Sequence, residues 1–259
     1  MCTIAWLPRA DGFTLWHSRD ERRSRGIAVP PLVEHAKGIG WISPRDSDSG
    51  GSWVGVNNAG VSVGIANLFV DDRPVPPSRK VSRGLLVEQL LDSPSALQVE
   101  RRVRDFDLEP FEPFTLIAVE AKRHPFILRW DRSTPRVIEP LGPHLLVTSA
   151  GGSRTLEERR MQLFGADNPG LTTEAIERLY RAPPDSEMAS VCVHRPDVMT
   201  VSLTRIEVGD RLVSLTYTPG QPCQTAPGPT ILLDRVPSAS EASAPYRGNI
   251  GANEPPTGT

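Results

Sequence analysis

Paired β-rich runs joined by short turn-forming segments recur along this chain, and they constrain its fold more than any other feature. CTIAWL (2–7) and FTLWHS (13–18) flank PRADG, and WVGV (53–56) and VSVGIANLF (61–69) flank NNAG. FTLIAVE (114–120) and PFILRW (125–130) flank AKRH. TVSLTRIEV (200–208) and RLVSLTYT (211–218) flank Gly209-Asp210, a dipeptide suited to a tight primed turn. Each pair is a hairpin signal, because Gly, Asn and Asp accept the backbone angles of a chain reversal. Helical periodicity is sparser. It occurs at 83–92 (Leu86, Leu90, Leu91) and at 173–181 (Ile176, Leu179, Tyr180), and a third helix starts near 156, where Thr155 and Glu158 make a capping box. Antiparallel pairs with few helices between them indicate an α+β fold and not a doubly wound parallel sheet.

The pattern predicts one domain over 1–236. From 230 onward the periodicity fades into Pro, Ser, Ala and Gly, and 237–259 reads as a disordered tail. With 29 basic and 31 acidic residues, the charge balance implies neither a nucleic-acid partner nor an anionic membrane. RDERRSR (19–25) is mixed in sign and short. The longest apolar run, 61–70, is too short to span a bilayer, so an integral membrane protein is not expected. No signal-peptide pattern opens the chain, and the expected location is cytoplasmic. Three widely spaced cysteines (Cys2, Cys192, Cys223) form neither a disulfide framework nor a metal-ligand pattern, and the five histidines have no ligand companions. No cofactor or metal is expected, and Cys192 and His194 read as structural residues of the SVCVH run.

The opening MCTIAW raises a chemical possibility. Removal of the initiator methionine would leave Cys2 with a thiol and a free α-amine on one carbon. An α-amine with a pKa near 7.7–8.0 can accept a proton from that thiol at neutral pH, which makes a self-activated nucleophile. If Leu7 pairs with Phe13, hairpin register puts Cys2 opposite Ser18, with Asp20 on the same face as Ser18 and Arg19 nearby. Asp20 could orient the amine. The alternative is that Cys2 is an ordinary buried strand residue.

These residues resemble the NRDE family, relatives of the transport and Golgi organisation protein 2. The similarity rests on MC at the start, a hairpin, SRDE (18–21), GGSWVGVNNAGVSVGIANLF (50–69), SRGLLVEQLL (82–91), FTLIAVE (114–120) and SVCVHRP (190–196), in that order. The resemblance implies an Ntn-hydrolase-like αββα sandwich, with two antiparallel sheets between helical layers. By the same resemblance, Cys2 matches the nucleophile, Asp20 the carboxylate that orients the amine and Asn67 an oxyanion-hole asparagine, while Arg159 matches an arginine near the nucleophile. Ser18, Arg19 and Ser149 are the candidate substrate-binding residues. Three positions depart from the family pattern: Ser18 replaces the motif asparagine, Thr148-Ser149 stands where Ser-Asn is usual, and Thr200-Val201-Ser202 lacks an arginine. Ser149 donates one hydrogen bond where an amide has two donors. Two functions follow as expectations. One is a cysteine amidohydrolase that cleaves a non-peptide acyl amide. The other is a non-catalytic handler of haem or lipid on the same fold.

Overall fold

The computed structural model describes residues 2–70, 77, 79–139, 145–148, 171–183 and 191–236, with 158, 160, 162 and 164. The expected tail, 237–259, lies outside these residues.

Six strands form one sheet. In chain order they are β1 (Cys2–Arg9), β2 (Gly12–Arg22), β10 (Leu145–Thr148), β11 (Val198–Val208), β12 (Leu212–Pro219) and β13 (Thr230–Asp234). Their spatial order is β10-β1-β2-β11-β12-β13. Seven strands form the second sheet: β3 (Val29–Ala36), β4 (Ile39–Arg45), β5 (Val54–Asn57), β6 (Ser62–Asn67), β7 (Phe114–Val119), β8 (Phe126–Trp130) and β9 (Arg136–Val137), side by side in that order. The strand pairings within both sheets are antiparallel. Three apolar layers hold the sheets and helices together. Ile4, Phe13, Leu15, Val54, Val56, Ile117 and Ile206 fill the space between the sheets. Helices α1 (Gly84–Leu90) and α2 (Ala96–Arg104) cover the second sheet through Leu86, Leu90, Val99 and Val103. Helix α3 (Thr173–Arg181) and Phe164 cover the first sheet, with Ile176 and Tyr180 against Ala5 and Trp16. Because each sheet is packed on both faces, β1 and β2 are buried almost throughout and show no alternation. This is the α+β, αββα architecture expected from the hairpins and the family pattern.

Several local readings need correction. The first hairpin closes on Ala10-Asp11, with Arg9 opposite Gly12, because Pro8 and Arg9 belong to the strand and not to the turn. Cys2 therefore opposes Arg19, not Ser18. One residue of register exchanges the two faces: Cys2 and Arg19 face the inter-sheet layer, and Ser18 and Asp20 face the helical side. At Gly209-Asp210 the strands pair as expected, yet neither residue is left-handed. The primed turn lies instead at Lys37 (φ 52°) and Gly38 (φ 80°), between Ala36 and Ile39. Thr230–Asp234, in the stretch where the sequence loses its periodicity, is an edge strand beside β12. No helix among the described residues is long and apolar enough to cross a membrane.

Candidate active site

A cleft of about 980 Å³ opens at one end of the sandwich. The first sheet contributes Cys2 and the run Arg19–Arg22, and the second contributes Ile65 and Asn67 at the end of β6. The start of α1 contributes Ser82, Arg83 and Gly84, and the loop before β5 contributes Gly51, Ser52 and Trp53. Leu68, Phe69, Val81 and Pro113 form an apolar stretch of the wall.

Cys2 is 7% exposed and its side chain belongs to the inter-sheet layer. Burial pushes its thiol pKa above the ordinary cysteine range. The positive chain terminus pulls it back, and the carboxylates of Asp20 and Glu21 raise it again. Asp20 is 1% exposed. Its carboxyl is likewise raised by burial, with the chain terminus the strongest opposing influence, ahead of Thr200 and Arg160. Thr200 directly opposes Asp20 across the β2–β11 pair, and its hydroxyl donates to Asp20 Oδ1 at 2.6 Å. The ladder shifts register between Thr200 and Ser202, so a bulge sits beside the carboxylate.

Arg19 is buried under the loop that precedes β5. Its guanidinium pairs with Asp46 and lies over the Trp53 ring, 4.4 Å from the centroid. Arg25 also donates to Asp46, at 2.5 Å. Arg19 is thereby held as a wall of the cleft. Trp53 is a packing residue of the inter-sheet layer. The glycines permit close backbone approach: a Cβ on Gly51 would fall 2.4 Å from the Gly84 carbonyl carbon, and Ser52 N–H donates to Gly84 at 3.1 Å. This contact seats the start of α1 against the cleft and places Arg83 there.

Arg83 is a cleft residue that the sequence reading missed. Its Nη1 donates to the Pro113 carbonyl at 2.9 Å. Burial lowers its pKa, and the Cys2 sulfur is the strongest influence that raises it. A signal existed in the sequence. An arginine at the N-cap of a helix opposes the macrodipole, which favours anions at that end, and such a misfit calls for a compensating role. Asn67 ends β6 half-buried, and among the described residues its side-chain amide makes no hydrogen bond, not even to its own turn. Ser18 is turned away, with its hydroxyl directed to the Thr3 carbonyl at 3.5 Å. Arg159 and Ser149 lie outside the described residues. The neighbouring Arg160 is buried and donates to Thr3 Oγ1 at 2.9 Å and Thr148 Oγ1 at 2.8 Å. Its four-residue spacing from buried Phe164 was the available clue.

Cys192, His194 and Cys223 form a second cluster, which contradicts the reading of scattered, companionless residues. The two sulfurs are 3.3 Å apart, and His194 Nε2 lies 3.3 Å from one and 3.1 Å from the other. Chain folding brings Cys223 back across 29 residues to His194, and no local spacing encodes that return.

The family model of Transport and Golgi organisation 2 matches residues 1–162. No curated protein matches the chain. Among solved structures, penicillin V acylase from Agrobacterium tumefaciens is similar with a TM-score of 0.52 and 15% identity, over 90% of this chain and 86% of that one. The Caenorhabditis elegans N-acylethanolamine-hydrolyzing acid amidase ortholog gives 0.52 and 14%, over 80% and 92%. A mutant conjugated bile acid hydrolase from Clostridium perfringens gives 0.52 and 10%, over 91% and 97%. At these identities the likeness is one of fold, that of the Ntn hydrolases.

Proposed function

We propose that this chain, which belongs to the Transport and Golgi organisation 2 family, is a cysteine amidohydrolase acting on a non-peptide C–N bond once its initiator methionine is removed. The observation that carries this reading is the convergence of Cys2, Asp20 and Asn67 on one cleft. The amidase and acylase folds it resembles support an acyl amide as the substrate class.

In this reading the α-amine of Cys2 takes the thiol proton, and the sulfur attacks the amide carbonyl. The free amide of Asn67 donates to the developing oxyanion, worth on the order of 10²–10³ in rate for one such donor. The C–N bond breaks, the leaving amine takes the proton from the α-amine, and a thioester remains on Cys2. Water then adds to the thioester with the α-amine as base, and the carboxylic acid leaves as the thiol is restored. Asp20, held by Thr200, keeps the amine in place. Leu68, Phe69 and Pro113 accommodate the acyl chain, and Arg83 favours the thiolate. A panel of acyl amides tests this with wild type, Cys2→Ser and Cys2→Ala. Hydrolysis by wild type that is lost in Cys2→Ala supports the reading, and an inert wild type overturns it.

A carrier role for haem or lipid is the second reading. It is favoured by the volume of the cleft, at the upper end of the roughly 300–1,000 Å³ of small-molecule sites, and by Phe69 standing half exposed at its wall. Saturable binding of haem or acyl-CoA without turnover would select it.

A further inference from the structure

We propose that Cys192, His194 and Cys223 form a binding site for a soft divalent cation of the zinc class. The trio supplies two sulfurs and one imidazole nitrogen, the donor set that suits such ions. In a tetrahedral site with bonds of roughly 2.3 Å to sulfur and 2.0–2.1 Å to nitrogen, the sulfurs are about 3.8 Å apart and each sulfur is about 3.6 Å from the nitrogen. The present separations of 3.3, 3.3 and 3.1 Å need to open by only a few tenths of an ångström.

The placement is built by the fold. Cys192 and His194 are two residues apart on the stretch that bridges back to Met199, so their side chains project on one side. Cys223 comes from the turn after β12, which is closed by the Gln224 and Thr225 N–H groups donating to the Gln221 carbonyl. Cys192 is buried, whereas His194 and Cys223 are only partly buried, so an ion and a solvent ligand can reach the cluster. A disulfide explains the geometry less well. Its bond length is roughly 2.05 Å, and it gives no reason for an imidazole nitrogen close to both sulfurs. On binding, the two thiols release their protons to solvent as two sulfur–metal bonds form, and the neutral imidazole adds its lone pair. A further coordination position remains for water or another ligand.

The site also abuts the cleft. Val193, between the two ligands, donates its N–H to Thr200 Oγ1 at 2.8 Å and accepts from Thr200 N–H at 2.9 Å. The same Thr200 hydroxyl donates to Asp20. A bound cation would fix the segment on which the Asp20 hydrogen bond rests. Cation binding itself stands independently of the amidase reading.

The full chain, purified under reducing conditions without chelator, is assayed for metal content, then stripped and titrated with Co²⁺. The expected result is a single ion per chain, with sulfur-to-cobalt charge-transfer absorption and the visible bands of a tetrahedral site. Cys223→Ser and His194→Ala should lose this signal, while Cys2→Ala should keep it. Circular dichroism of each variant separates lost ligation from lost folding, and the wild-type spectrum needs no variant at all. Absence of a thiolate band in wild type, loss of the signal in Cys2→Ala, or linked 192 and 223 peptides in the reduced preparation would each overturn the proposal.

Discussion

The Thr200 hydroxyl is shared between Asp20, to which it donates at 2.6 Å, and the N–H of Val193, from which it accepts at 2.8 Å. One side chain therefore ties the buried carboxylate beside the cleft to the Cys192–His194 segment. Thr200→Val preserves shape and removes both bonds. It should cost about 1–3 kcal/mol, since the groups left behind are buried, and amide hydrolysis should fall with it. Thr200→Ser should retain most of both. Urea denaturation checks the first statement, and equal stability of wild type and Thr200→Val would contradict it.

Asn67→Ala separates site from scaffold. Its amide makes no hydrogen bond among the described residues, so the fold should tolerate the change within about 0.5 kcal/mol. Amide hydrolysis should drop by roughly 10²–10³ in kcat if the amide donates to the oxyanion. A marked fall in stability with unchanged kcat would make Asn67 a structural residue.

The Cys2 sulfur raises the Arg83 pKa, and the same attraction taken from the other side should lower that of the thiol. Arg83→Met should move the Cys2 thiol further up. Alkylation of Cys2 by iodoacetamide, followed across pH, should show its rise displaced to higher pH in the variant. An unmoved profile would mean that the guanidinium does not act on the sulfur.

His17 carries a pH dependence of stability. Burial is the main cause that lowers its pKa from 6.5 to about 4, and Arg19 lowers it further, against the carbonyls of Ile65 and Ser18 that raise it. The unfolded chain therefore binds the proton at higher pH than the folded one does. Stability is complete above pH 6.5 and is lost as pH falls toward 4, by about 3 kcal/mol at most. Neutral His17 can donate to only one of its two carbonyl neighbours, each 3.1 Å away. His17→Gln should flatten this part of the stability curve. Parallel curves for variant and wild type would refute the assignment.

Gly84→Ala places a Cβ 2.8 Å from the Ser52 carbonyl oxygen. Backbone cannot yield as a side-chain tip does, so a loss of about 1–3 kcal/mol is expected. A shift in Trp53 fluorescence should accompany it, because the loop carrying Trp53 meets α1 at this point. Unchanged melting and emission would show that the contact is slack.

Local chemistry was legible, and long-range return was not. The hairpins at β1–β2, β7–β8 and β11–β12 follow from β-rich runs and the turn residues between them, and the first of them brings Cys2 near Asp20. Its register depended on whether Pro8 and Arg9 count as strand or turn, which composition does not decide. β3 escaped because, as an exposed edge strand with Pro30 and Pro31, it has little apolar alternation. α2 was missed, although its Ser95 cap, whose hydroxyl accepts from Gln98 N–H at 3.2 Å, and the spacing of Ala96, Val99 and Val103 mark it. The approach of Cys223 to Cys192 and His194 comes from the packing of two distant segments and leaves no mark on either.

The most direct measurement is peptide mass mapping of the mature chain after reaction with an acyl amide and rapid acid quench. The expected result is an amino-terminal peptide that begins at Cys2 and carries the acyl group as a thioester. Retention of Met1, or an acyl group found only on other residues, would contradict the account.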